Sequence, residues 1–162
     1  MLKCSVLALC LVPACALSAA SADDQEIESL QGLPPLLVDV KVVAPVSAGI
    51  GESDLKAAVE LRLRNSGIKV GPGSDAILAP HLFVSVTAPT GQSATFGVGV
   101  SLSQFVKPFR PQESRAPILI LNTWHKDRDA TISNGVVLIP ARDLVEKIID
   151  DFINDYLKAN PQ

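Results

Sequence analysis

The chain has 162 residues, with 14 Lys+Arg against 17 Asp+Glu and a formal net charge of −3. Its cations are spread along the chain, with no cluster larger than a pair such as Arg62/Arg64. That disfavours nucleic acid and anionic lipid as partners, because both need a concentrated basic surface. Aromatic residues are 4% of the chain, so stacking platforms for bases or sugars are not expected.

Residues 1–22 read as a secretory signal peptide. Lys3 is the positive n-region, Val6 to Val12 the apolar run, and Ala20-Ser21-Ala22 the small-x-small cleavage box before Asp23. The run is too short for the ~20 apolar residues of a membrane-spanning helix. A second processing site competes. Val12-Pro13-Ala14-Cys15 resembles the lipobox of bacterial lipoproteins, where the cysteine becomes the lipid-bearing N-terminus, although Pro13 departs from that pattern. The reading is therefore export to a periplasmic or secreted location, with a membrane-anchored lipoprotein through Cys15 as the alternative. Cys4, Cys10 and Cys15 are all in the leader. Cleavage after Ala22 leaves a chain with no disulfide, thiol nucleophile or thiolate metal site.

What remains is Asp23 to Gln162, with 13 Lys+Arg and 17 Asp+Glu, a size that suits one domain. Residues 23–35 begin acidic and end Gly32-Leu33-Pro34-Pro35. They are expected to be a flexible lead-in stiffened by the proline pair. The competing reading is an amphipathic helix that buries Ile27 and Leu30. Residues 36–160 are expected to form the folded domain.

Leu36 to Val46 alternates as a strand, with Val38, Val40 and Val42 on one face and Asp39 and Lys41 on the other. Ser53 is placed to cap a helix that stops at Gly67, with Leu55, Val59 and Leu63 as its buried stripe. Ile68 to Val70 starts a short strand that Gly71-Pro72-Gly73-Ser74 breaks. His81 to Ala88 is a strand with Leu82, Val84 and Val86 facing one way and Phe83, Ser85 and Thr87 the other. After the turn Pro89-Thr90-Gly91, the stretch from Thr95 to Val106 forms the central strand. Phe96, Val98, Val100 and Leu102 alternate there with Thr95, Gly97, Gly99, Ser101 and Ser103. Pro108 and Pro111 mark a loop. Ile118 to Leu121 is a continuous apolar run and is expected to be a strand that is buried on both faces or central in the sheet. Ser133-Asn134-Gly135 signals a turn, and Pro140 opens the strongest helix, Ala141 to Ala159. Leu144, Val145, Ile148, Ile149, Phe152, Ile153, Tyr156 and Leu157 give that helix a stripe broad enough to pack on a sheet. The order β-α-β-β-β-β-α predicts an α+β fold: one mostly antiparallel sheet with two amphipathic helices on one face.

The segment Asp151-Phe152-Ile153-Asn154-Asp155-Tyr156-Leu157, after a Thr123-Trp124 strand and a helix from Leu55 to Gly67, resembles a family of small exported bacterial proteins of unknown function. The element order also looks like small envelope domains in lipoprotein activators of peptidoglycan synthases and in the N-terminal part of TolB-like proteins. The resemblance implies an envelope location and supplies no catalytic residue.

No catalytic constellation is present and no cofactor is implied. Trp124-His125-Lys126-Asp127-Arg128-Asp129 is the densest polar cluster. On an extended chain His125, Asp127 and Asp129 project together, a set that suits a divalent metal. The plainer reading is a solvated hairpin end in which Lys126 and Arg128 neutralise the acids. His81 is the other histidine, and no Gly-x-Ser-x-Gly elbow exposes a serine. Gly49-Ile50-Gly51 lacks the remainder of a phosphate-binding loop, and Glu52 and Asp54 occupy the place of the anion. The candidate binding surface is the bare face of the central strand: Thr95, Gly97, Gly99, Ser101 and Ser103, bordered by Trp124 and His125.

These readings favour a non-enzymatic exported protein that binds a protein or envelope component through a sheet face or edge. A small-ligand or metal-binding periplasmic protein with its site near Trp124 to Asp129 is the alternative, and a hydrolase a distant third. The mature protein is expected to be recovered in the soluble fraction with an intact mass that begins at Asp23. A membrane-bound species that begins at a lipidated Cys15 would replace that reading with the lipoprotein one.

Overall fold

The computed structural model describes residues 22–43, 51–71, 78–87, 95–107, 118–133, 136–137 and 141–161. Residues 1–21 of the signal peptide with the lipobox-like segment, most of the Gly49-Ile50-Gly51 loop and the turns at 72–74, 89–91, 108–111 and 134–135 lie outside the described residues, as does Pro140.

The elements in order are α1 (Ala22–Glu28), β1 (Leu37–Val43), α2 (Glu52–Asn65), β2 (His81–Thr87), β3 (Thr95–Val106), β4 (Leu119–Ser133), β5 (Val136–Val137) and α3 (Ala141–Ala159). The strands lie side by side in sequence order. β1 and β2 are parallel with α2 as their crossover, while β2, β3 and β4 form an antiparallel meander. The two-residue β5 pairs with the end of β4. The fold is α+β.

Both long helices cover the same sheet face. Val38 of β1, Leu82, Val84 and Val86 of β2, Val98, Val100 and Leu102 of β3, and Trp124 of β4 are all buried. They meet Leu55, Val59 and Leu63 of α2 and Leu144, Val145, Ile148, Ile149 and Phe152 of α3 in one core cluster. The period-two positions of the strands and the broad stripe of α3 therefore close on each other.

α2 begins two residues earlier than its cap signal suggests. Gly51 is the N-cap, and no side chain caps the helix. Glu52 instead accepts the Val42 N–H through Oε1 at 2.9 Å, which satisfies a backbone donor on the outer edge of β1. Gly67 ends the helix region with a φ of 81°, a left-handed conformation that favours glycine. The Glu60–Arg64 pair forms at 2.9 Å.

Three expectations are corrected. Residues 23–35 are not a simple tether. Asp23 and Asp24 lie in the first turn of α1, where they suit the helix dipole. Leu30, just beyond the helix, is fully buried. Asn160, past the end of α3, clasps this turn from both sides. Its Oδ1 accepts the Gly32 N–H at 2.7 Å and its Nδ2 donates to the Leu30 carbonyl at 2.9 Å. Burial of one leucine and two side-chain bonds outweigh the flexible composition.

Residues 68–70 contribute an isolated Leu36↔Val70 bridge and no full strand. Ile118 to Leu121 is not buried on both faces: its residues are 39 to 64% exposed. β4 is 15 residues long, and its first residues pair with β3 beyond the last β2 partner. The apolar run belongs to a two-stranded projection, so neither face is covered.

A charged layer fastens the helices. Arg62 of α2 donates to both carboxylate oxygens of Asp150 at 2.7 Å and reaches Glu146 at 3.3 Å, joining α2 to α3. Asp150's hydrogen bonds keep the guanidinium pKa above its ordinary value. Arg128 of β4 binds Asp151 at 2.7 Å. Asp155 is buried and accepts from Trp124 Nε1 at 3.2 Å and from Lys126 and Lys158 at 3.1 Å each. Burial alone would raise the pKa of this carboxyl. The bonds from Lys158, Trp124 and Lys126 outweigh that and hold it below its ordinary value of 3.8.

A carboxyl whose folded pKa is depressed adds stability above its unfolded pKa, and that stability is lost as pH falls through the folded value. Asp155→Asn should therefore lower stability at neutral pH by about 1–3 kcal/mol and flatten the acid limb of the stability profile below about pH 4. Urea unfolding followed by the emission of Trp124, the sole tryptophan, measures both. An unchanged acid limb would assign the acid sensitivity to other carboxylates.

Candidate functional site

Among the described residues the helices leave the second sheet face uncovered, and the strand register lays it out in rows. Asp39, Phe83, Ser101 and His125 form one row across β1 to β4; Lys41, Ser85, Gly99 and Asp127 form the next. The following row is Val43, Thr87, Gly97 and Asp129. On the other side of the Phe83 row lie Leu37, His81, Ser103 and Asn122, and beyond them Phe105 and Ile120. Gly97, Gly99, Ser101 and Ser103 of the central strand all face this side. Thr95 is in β3, and its side chain lies outside the described residues.

The face is open at one end only. Gly97 and Gly99 do not form a bare platform. A Cβ at Gly99 would stand 2.5 Å from Asp127 Oδ1 and 3.0 Å from Ser85 Oγ. One at Gly97 would meet Thr87 Oγ1 at 3.0 Å and Asp129 Oδ1 at 3.3 Å. The neighbouring side chains lean over the glycines and occupy the space that missing side chains leave.

At the other end, Ser101 and Ser103 floor a shallow depression of about 410 Å³ lined by Asp39, His81, Phe83, Phe105, Ile120 and Asn122 among others. His81 Nδ1 lies 2.7 Å from Asp39 Oδ2, which orients the ring. Ser103 Oγ donates to Asn122 Oδ1 at 2.7 Å, which orients the amide. No serine hydrogen-bonds to His81 among the described residues.

Asn122 reaches this face because of a β-bulge. β3 and β4 pair as Leu102↔Trp124 and then Ser103↔Asn122, so Thr123 is an extra residue. The bulge is secured on both sides. Thr123 Oγ1 accepts from Gln104 Nε2 at 2.7 Å, and the Thr123 carbonyl accepts from Ser29 Oγ at 3.0 Å. Without it, Asn122 and Ile120 would turn to the helix side.

Trp124 does not border the candidate surface. It is 1% exposed, on the opposite face, with its ring edge-on to Phe152 at a centroid distance of 5.0 Å. Strand periodicity puts neighbours Trp124 and His125 on opposite faces. The same periodicity corrects the hairpin-end reading of residues 124–129. They form the middle of β4, and Lys126 and Arg128 point to the helix side, where they bind Asp155 and Asp151. His125, Asp127 and Asp129 do share the outer face, and His125 Nε2 lies 3.1 Å from Asp127 Oδ2. Among the described residues no three His, Cys, Asp or Glu side chains are grouped to hold a metal ion. No helix among them is long and apolar enough to cross a membrane.

Asp39, His81, Phe83, Phe105, Ile120 and Asn122 were not singled out as site residues from the sequence. Alternation in β1 and β2 already assigned Asp39 and Phe83 to the polar faces. What it lacked was the β1–β2 pairing and the bulge.

No family model and no curated protein matches the chain. The resemblance to small exported bacterial proteins thus rests on the sequence pattern. Among solved structures, the chain is similar to a minor lipoprotein from Acinetobacter baumannii, at 12% identity over 77% of this chain and 86% of that one, with a TM-score of 0.24. Likeness at that level carries no argument about function.

Gly99→Ala should displace the Asp127 carboxylate and break its contact with His125 at a cost below ~1 kcal/mol, because that pair is exposed. The urea midpoint checks the cost, and the NMR chemical shifts of the His125 ring at a fixed neutral pH check the lost contact. A larger loss would mean that the Asp127 carboxylate is anchored in place.

Proposed function

We propose that this chain is a non-enzymatic binding domain of the bacterial cell envelope, which takes a protein or envelope component on the outer face of its sheet. One observation carries the reading. The helices all serve one face, and the other presents an ordered polar depression beside an exposed Phe83. Polar side chains held in place by their neighbours, next to an accessible aromatic, have the composition of a recognition surface. The signal-peptide pattern and the resemblance to exported proteins support the envelope as its location.

A photo-crosslinking phenylalanine analogue at position 125 tests this in intact cells. The His125 side chain is 58% exposed at the rim of the outer face, and its removal opens no core cavity. The same analogue at Leu61, exposed on α2, is the control. Irradiation should yield a discrete adduct from position 125 and none from position 61. No adduct from 125, or the same adducts from both positions, would overturn the reading.

A further inference from the structure

We propose that the depression floored by Ser101 and Ser103 is a site for a neutral saccharide, an inference that rests on the outer face being the binding surface. Its walls are apolar and its floor is polar. Phe83 stands on one side and Phe105 with Ile120 on the other. At ~3.4 Å per residue, rows four positions apart along β3 are about 14 Å apart, which leaves room for one or two sugar rings between them.

The free valences of the floor select the ligand. His81 has Nδ1 engaged by Asp39, and Asn122 has its oxygen engaged by Ser103. His81 Nε2, the Asn122 amide hydrogens, the Ser101 hydroxyl and the second oxygen of Asp39 have no partner among the described residues. They offer donors and acceptors side by side, with His81, Asp39 and Asn122 held in orientation by their neighbouring bonds.

A ligand with adjacent hydroxyls satisfies both kinds. Its ring C–H face meets the aromatic walls, which suits a carbohydrate better than other classes. An anion would face the Asp39 carboxylate. A fatty chain would leave the floor's donors desolvated and unpaired. A quaternary amine would meet the Asn122 and Ser101 donors, with one Asp39 oxygen already engaged. The low aromatic content of the chain pointed away from sugars. Yet two of its five phenylalanines border this one depression.

The test is a titration of the isotope-labelled exported chain, followed in amide NMR spectra. The probes are the disaccharide of N-acetylglucosamine and maltose, with phosphate and choline as controls. At least one sugar should shift the amides of Phe83, Ser101 and Ser103, and neither control should. Phe83→Ala and Asn122→Ala should each weaken sugar binding about tenfold (~1.4 kcal/mol). Both side chains lie outside the core cluster, so the core resonances should stay in place. The proposal is overturned if neither sugar shifts these amides, if a control shifts them instead, or if Asn122→Ala in a folded chain binds sugar as before. Adducts from position 125 in cells, without sugar binding in the titration, would leave the binding-face reading intact and end this one.

Discussion

The packing of α3 across β3 and β4 is the constraint on which the rest of this structure depends. Five consecutive inward positions of that helix, from Leu144 to Phe152, are buried. The last of them meets Trp124 edge-on. Directly past that contact, Asp155 takes the Trp124 N–H and two ammonium groups. A buried carboxylate without those partners would be expensive. With them, the rotation of α3 about its own axis and its position along β4 are both specified, because a slip would strand the charge. The clasp of Asn160 on the turn after α1 follows from the same placement.

Fixing α3 on one face has a consequence for the other. Among the described residues no further long helix covers the outer face, so its residues meet water or a partner. Most of that face is closed by short polar side chains leaning over Gly97 and Gly99. Only near Ser101 and Ser103 do the side chains stand apart, with Asp39–His81 and Ser103–Asn122 as two internally bonded pairs. Polar groups held in place this way lose little freedom on binding, which favours recognition at a small site.

The bulge at Thr123 connects the two faces. It lets one strand keep Trp124 in the core and still present Asn122 and Ile120 outward two and four positions earlier. It also explains why a fully apolar run is tolerated from Ile118 to Leu121. Beyond the bulge, Leu119 to Leu121 pair with β3 past the last β2 partner.

Much of the fold was legible in the chain. Alternation in β1, β2 and β3 and the stripe of α3 assign core and solvent faces residue by residue, because side-chain direction follows backbone period. Ser101, Ser103 and His125 could therefore be placed on the open face without coordinates. Trp124 was misassigned to that face because a hydrophobic neighbour of His125 was grouped with it by sequence distance and not by strand phase. Tertiary structure alone decided three things. α1 orders because Leu30 finds a pocket that distant elements build. β1 meets His81 through Asp39 because α2 returns the chain to pair in parallel. Asn122 faces outward because one extra residue shifts the phase of β4. Each depends on contacts between residues far apart in the chain, which no local pattern encodes.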